Sequence, residues 1–290
     1  MRPYRITEMA NKYVAYDMIS AYTALPEYPV PRVRLLYTFL NDREASNPRS
    51  AEDCALAAFL VQLGMDTHDL VGLGEEMDDK TLSMRSRQLK VLAGDYFSGV
   101  FYDLLAKAGE IGMVSAMSAA ICEVNRLKVE LYTKLKQMLL PADEYLKECV
   151  HVKMGLFLSF SQMMDKSVLN IWRLLLAELS RCEVMLDEIK SSSELPHYRH
   201  GYAYLKMMET GSREDIETIS GRKLGEREWT LLLVKYNVKE QLVAMLNQSV
   251  DRVHSLLHDC KKESVRAEIK AILEPFIAMI SPARRSVQEG

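Results

Sequence analysis

Glycine and proline are scarce in this chain, 13 and nine of 290 residues, where the two together average about 12%. Turns are therefore few and the elements long, as in an all-helical protein. Positive charge is not in excess: 37 Lys+Arg stand against 40 Asp+Glu, a net charge of −3. That balance excludes nucleic acid as the main partner, because neutralising phosphates needs a clear basic surplus. Long apolar runs are missing as well. The longest, Cys54 to Met65, is broken by Gln62 and falls short of the roughly 18 residues that a membrane span requires, so no transmembrane segment is expected. The first twenty residues hold no apolar stretch of the secretory type. The five cysteines, Cys54, Cys122, Cys149, Cys182 and Cys260, are an odd, scattered set with no Cys-x-x-Cys pair. They read as reduced core thiols of a cytoplasmic protein rather than disulfides or zinc ligands.

What is present is apolar content, 48% of the chain, which is ample for a core and excludes disorder. Apolar residues recur at three- and four-residue steps, and period-two stretches are essentially missing. Ile121, Val124, Leu127, Leu131, Leu135 and Met138 line one face of a helix whose other face carries Glu123, Arg126, Lys128, Glu130, Lys134 and Lys136. Glu130 and Lys134 form a favourable i,i+4 pair there. The pattern predicts helices at 5–24, 31–42, 50–70, 83–109, 112–140, 143–164, 167–190, 197–210, 212–220, 226–259 (with a break near Asn237) and 263–280. Pro26, Pro29 and Pro31 force an extended connector after the first helix. Ser212 reads as a helix N-cap and Gly221 as its end. The stretches Asn41–Ser50 and Gly72–Lys80 read as exposed loops. No shift of composition marks a boundary. The expectation is one all-α domain over 1–290, with an N-terminal helix and Pro-rich connector to 30, a main bundle to 280 and a polar tail.

Three stretches are apolar on nearly every side: 54–65, 91–105 and 154–164. Such helices lie inside a bundle of about ten. Polar groups interrupt them at particular points. Asp66 and Asp69, with His68 between them, close the first at an i,i+3 spacing; Asp95 opens the second and reads as a buried structural acid; Asp187 and Glu188 close the helix at 167–190. Two acidic helix ends facing each other would suit a magnesium–diphosphate site. Acids that simply meet solvent where each helix emerges are the plainer reading. His254 and His258 lack the glutamate of a zinc-protease helix and read as an exposed face, and His197 and His200 as capping or surface residues. The 17 Met suit a core that must fill irregular gaps, or a cavity for a flexible lipid. There is no Gly-rich phosphate loop and no nucleophile elbow.

Several segments look familiar. R-Q-L-K-V-L-A-G-D-Y-F-S, beginning at Arg87, resembles the V-L-x-G-D-[FY] helix of the all-helical trans-isoprenyl diphosphate synthases. Leu56–Val71 lies where that family carries its first D-D-x-x-D, and Val184–Ile189 where it carries the second. Together D-T-H-D-L-V, E-V-N-R-L-K and K-M-G-L-F-L-S-F are most similar to the small, component I subunits of bacterial heptaprenyl diphosphate synthase. The resemblance runs over about 10–260 and is most specific over 66–102. The departures are informative. Thr67 replaces an aspartate of the first motif, no arginine pair lies between Val71 and Met84 (Arg85 and Arg87 come late), and Asp187-Glu188 is followed by no third acid.

The resemblance therefore implies an isoprenoid-synthase-like bundle that is not catalytic by itself. It implies a heterodimer with a catalytic component II, which holds Mg2+ and elongates farnesyl diphosphate with isopentenyl diphosphate for the menaquinone side chain. No cofactor is expected on this chain; if any residues held a metal they would be Asp66 and Asp69. Phe97, Phe101, Tyr102, Phe157 and Phe160 are the expected interface or walls for the growing prenyl diphosphate product. The alternative is a stand-alone terpene synthase-like enzyme using Asp66, Asp69, Asp187 and Glu188; a third reading is a helical scaffold unrelated to prenyl lipids.

Overall fold

The structure, a computed structural model, describes residues 3–42, 48–71, 80–138, 140–194, 201–221 and 224–288. Among them every regular element is helical: α1 Ile6–Val14, α2 Asp17–Tyr22, α3 Val30–Asn41, α4 Pro48–Asp69, α5 Lys80–Ala108, α6 Ile111–Lys136, α7 Ala142–Leu158, α8 Leu169–Ser191, α9 Tyr202–Thr210, α10 Arg213–Ser220, α11 Glu226–Lys235, α12 Val238–Leu256 and α13 Glu263–Gln288. Contacts divide the chain into two compact units, Met1–Ala120 with Leu156–Trp172, and Ile121–Gly155 with Arg173–Gly290. Of the two expected loops, 43–47 and 72–79 lie outside the described residues.

In the first unit, α4 is the innermost element. Every residue from Cys54 to Val61 is fully buried, as a helix with no charged face must be. Phe59 and Tyr28 meet edge to face with centroids 5.2 Å apart, and Trp172 and Phe39 likewise at 5.5 Å. Trp172 donates its indole N–H to Ser161 Oγ at 3.3 Å. The crossing of α4 on α5 is closer than side chains normally allow. A Cβ added at Gly64 would stand 2.8 Å from the Gly94 carbonyl oxygen and 2.9 Å from the Ser98 nitrogen. At the far end of α5, Gly109 takes φ +77°. Its N–H bonds to Ala106 O and that of Glu110 to Leu105 O, the paired closure that a left-handed glycine permits.

In the second unit, Gly155 on α7 lies against Val124 on α6, whose Cγ2 is 2.5 Å from where a Cβ would be. Asn237 takes φ +49° and divides the expected 226–259 helix into α11 and α12. Ser212 caps α10 by accepting the Asp215 N–H at 3.2 Å. The Asp215 carboxylate in turn accepts from Lys235 Nζ at 2.6 Å, Ser212 Oγ at 2.6 Å and Tyr236 OH at 2.5 Å. These donors, Lys235 first, hold its pKa below the usual carboxylate range.

Two expected helices end differently, and one expected ion pair is exchanged. The first breaks after Val14, where the extended Tyr16 meets Tyr96 edge-on at 5.5 Å. The 143–164 helix tightens into a 3-10 turn over Ser159–Met163, where Ser159 Oγ bonds back to Leu156 O. The expected pair of Glu130 with Lys134 gives way to Glu130 with Arg126, while Lys134 reaches Glu148 at 2.7 Å.

The close crossing makes a sharp prediction. Gly64→Ala forces the α4 and α5 backbones apart and is expected to cost about 1–3 kcal/mol. Gly99→Ala, on the open side of α5 with nothing within 4 Å of the new methyl, should instead gain up to about 1 kcal/mol from helix propensity. Urea unfolding of the two variants checks the contrast.

Candidate functional site

The first acidic motif closes α4. Asp66 is half-buried and accepts the Gln62 side-chain N–H at 2.8 Å. The Gln62 carbonyl oxygen accepts from Arg32 Nη1 on α3 at 3.1 Å. Arg32 is only 2% exposed, and its guanidinium lies over the Phe157 ring, 4.9 Å from the centroid. Thr67, which takes the place of an acid, is fully buried and donates its hydroxyl back to Leu63 O at 2.7 Å. His68 packs over Gly94, with Nε2 2.7 Å from where a Cβ would be, and stands 3.2 Å from Asp95 Oδ1. Asp69 is exposed at the last residue of the helix.

Two expectations on α5 are corrected. Asp95 is not a buried acid: its side chain is 65% exposed. Gly94 is the residue that faces α4, and a step of about 100° round the helix turns its neighbour outward. Phe97 and Phe101 are 0% and 1% exposed, so they belong to this chain's own core and have no face to offer a partner. Tyr102, stacked on Phe101 at 4.0 Å, is exposed, as is Tyr96. Phe157 and Phe160 are fully buried.

The second acidic motif closes α8. Asp187 pairs with Lys153 Nζ on α7 at 2.7 Å. Glu188 is buried and accepts two hydrogen bonds, from Tyr145 OH at 2.7 Å and from the Tyr202 backbone N–H at 2.8 Å. The second of these replaces a missing cap, because the N-cap of α9 is Gly201, which has no side chain to accept the bond. Glycine also suits the spot sterically, since its Cβ would come within 3.0 Å of Glu188 Oε2. Burial raises the pKa of Glu188, with the Tyr145 and Tyr202 hydrogen bonds pulling the other way. Burial likewise pushes the Tyr145 hydroxyl up, and the Cys149 thiol to about 12.

His254 and His258 are exposed on α12 and the turn after it, while His197 and His200 lie outside the described residues. All five cysteines are free; Cys122 is exposed rather than in the core. Among the described residues no three His, Cys, Asp or Glu side chains converge as a metal site. Asp66 Oδ1 accepts from Gln62, Asp187 Oδ2 pairs with Lys153, and Glu188 accepts from two donors, so each of these three carboxylates is engaged by a neighbour. Arg32, Gln62, Tyr145 and Lys153 escaped the sequence reading, although Gln62 is the one polar side chain inside the 54–65 run.

Glu188→Ala strands the Tyr145 hydroxyl and the Tyr202 N–H, at a cost of about 1–3 kcal/mol for each buried group left unsatisfied. The pH dependence has a definite sign. A carboxyl whose pKa is raised on folding from 4.5 keeps its proton in the folded state after the unfolded chain has released it. Its contribution is full below the unfolded value and falls as pH rises through the folded one. The stability gap between wild type and Glu188→Ala should therefore be wider at low pH than at neutral pH in denaturant titrations.

Comparison with known proteins agrees with the geometry. Residues 16–213 match the family described as heptaprenyl diphosphate synthase (HEPPP synthase) subunit 1. Heptaprenyl diphosphate synthase component 1 of Geobacillus stearothermophilus is 41% identical over 93 residues, 32% of this chain and 40% of that protein. Among solved structures, geranylgeranyl pyrophosphate synthetase of Pyrococcus horikoshii superposes with a TM-score of 0.73 at 13% identity, over 94% of each chain. Geranylgeranyl pyrophosphate synthase of Lactobacillus brevis gives 0.72 at 16% identity, covering 93% of this chain and 94% of that one. Heptaprenyl diphosphate synthase of Staphylococcus aureus gives 0.69 at 11% identity, over 93% and 95%. The fold is that of the prenyl diphosphate synthases, and with more than half its length matched the chain belongs to the heptaprenyl diphosphate synthase subunit 1 family.

Proposed function

We propose that this chain is the accessory subunit of a heterodimeric heptaprenyl diphosphate synthase. Its partner is the catalytic component II, which carries intact aspartate motifs and holds the Mg2+. The pair elongates farnesyl diphosphate with isopentenyl diphosphate in the cytoplasm, for the menaquinone side chain. The observation that carries this reading is the occupation of the degenerate acids by the chain's own side chains, Gln62 on Asp66, Lys153 on Asp187, and Tyr145 on Glu188. Metal-assisted ionisation of a diphosphate needs carboxylate oxygens directed at the ion, and these are directed at neighbours. No helix among the described residues is long and apolar enough to cross a membrane.

The outer side of α5 and the start of α6 supports a docking role. Leu92, Tyr102 and Ile111 are 61%, 52% and 63% exposed, and Tyr96 is exposed beside them. Tyr102 OH lies 3.4 Å from Ser118 Oγ and so links the two helices. Gly99 and Gly112 leave open space where a Cβ would stand, and residues 111–122 carry no charge. Exposed aromatics flanking small residues suit the close approach of partner helices in a permanent interface, which can bury 2,000 Å² or more on the order of a core surface. In this reading Phe97, Phe101, Phe157 and Phe160 form the apolar backing behind the docking helices.

Purified chain incubated with Mg2+, farnesyl diphosphate and isopentenyl diphosphate should show no prenyl transfer until component II is added. Magnesium-dependent turnover by this chain alone would replace the accessory reading with the terpene synthase-like one. Leu92→Glu and Tyr102→Glu should keep the circular dichroism of the wild type and lose the heterodimer on size exclusion. Phe101→Asp should unfold the chain, since an unpaired carboxylate in the core costs several kcal/mol, on the order of a domain's whole stability.

A further inference from the structure

Among the described residues the buried acidic and basic side chains are Arg32, Glu52, Lys90, Glu183, Glu188 and Asp215. All but Lys90 meet partners within the chain. Lys90 is 6% exposed, and no described residue offers its ammonium a hydrogen bond or an ion pair. A cation taken out of water without a counter-charge is costly. Its nitrogen is not among the unpartnered atoms sealed from solvent, so the charge stands at the inner end of an opening.

Helix geometry places that opening. Ser86, Lys90 and Gly94 follow one another at four-residue steps and share one face of α5. The helices α4 and α5 pack antiparallel: Gly64 lies against Gly94 and Ser98, and His68, one turn on, covers Gly94 with its ring. Because α4 ends at Asp69, the next two turns of the same α5 face, at Lys90 and Ser86, run on beyond it. Ser86 is 9% exposed, and no described residue engages its hydroxyl. Two spare donors thus stand one helical turn apart, about 6 Å between Cβ atoms. The acids at this end of the two helices are engaged already, Asp66 by Gln62 and Asp95 by His68, and Asp69 has a partner as well.

We infer that Lys90 and Ser86 form a binding site for a phosphate group, which the ammonium and the hydroxyl hold directly. The donor set selects the ligand class. Lysine has donors only, and the serine hydroxyl has a proton to give. An anion with several oxygens accepts from both at once, whereas a halide presents a single centre, and lysine serves phosphate as a point charge. The site is independent of the accessory-subunit reading, because it is tested on this chain alone with neither partner nor turnover.

The experiment is calorimetric titration of the full chain with potassium phosphate in a phosphate-free, low-salt buffer, with KCl of equal ionic strength as the control. Wild type should bind phosphate saturably. Lys90→Met should weaken binding about 10-fold or more, and Ser86→Ala about 2- to 10-fold, as the loss of a charged and of a neutral hydrogen bond requires. Lys107→Met, which removes an exposed lysine of the same helix paired with Asp103, should leave it unchanged. Equal binding by wild type and Lys90→Met, or a response that KCl reproduces, overturns the inference. Glycerol 1-phosphate titrated in parallel separates an esterified phosphate from the free ion: the tighter binder names the source, and binding of neither overturns the site. Thermal unfolding in the same buffer gives a second readout. Without phosphate, Lys90→Met should melt no lower than wild type, since methionine keeps an unbranched chain in place of the buried stem and the uncompensated charge is gone. A lower Tm, or a chain that fails to fold, would show that the protein itself satisfies the ammonium, and the inference falls.

Discussion

Where α4 and α5 cross, backbone meets backbone, and the arrangement of the first unit follows from that contact. Glycine at 64 and 94 removes the two side chains that would keep the helices apart. Once the axes approach this closely, the residues flanking the contact have their directions assigned. Phe97 and Phe101 turn into the core, and Asp95, Tyr96 and Tyr102 turn out. The same approach brings His68 over Gly94 and beside Asp95. Each full burial of a large apolar side chain is worth about 1.5–3 kcal/mol, so the close crossing matters chiefly through the burial that it permits along both helices.

Helix positions were legible in the sequence because their signals are local. Scarce glycine and proline, the cap at Ser212 and the break at Asn237 all act within a few residues. Facing was less legible. In 91–105 apolar residues occupy most of the helix circumference, so periodicity leaves the inward direction undetermined. An error of one residue then separates Gly94 from Asp95, and Phe101 from Tyr102. Surface pairs fail for a related reason: Lys134 had a suitable partner one turn away in Glu130, but a residue from another helix, Glu148, competes for it.

The acids show the same limit in sharper form. That Asp66 with Asp69, and Asp187 with Glu188, close apolar helices could be read directly. What each carboxylate touches depends on residues far along the chain: Arg32 through Gln62, Lys153, Tyr145 and the N–H of Tyr202. Two faint local signs were nonetheless present. Gln62 interrupts an otherwise apolar stretch, and a polar group in such a place must find partners. Gly201 opens a helix with no capping side chain, which requires an acceptor from elsewhere; Glu188 supplies it.

The stability consequences of these partnerships run in opposite directions. Carboxylates gathered for an ion repel one another when the ion is absent, and they raise one another's pKa. Acids held singly by donors avoid that penalty. Asp215, surrounded by Lys235, Ser212 and Tyr236, has its pKa held down, so its contribution is present above the unfolded carboxylate range and is lost as pH falls through the folded value. Glu188, raised by burial, contributes most in acid and less as pH rises. The two slopes have opposite sign and act in successive pH ranges, Asp215 below the unfolded carboxylate value and Glu188 above it, so together they place a maximum between the two ranges. Asp66, Asp187, Glu188 and Asp215 each tie a particular helix end to a neighbour, through the amide of Gln62, the ammonium groups of Lys153 and Lys235, and the hydroxyl of Tyr145 with the N–H of Tyr202.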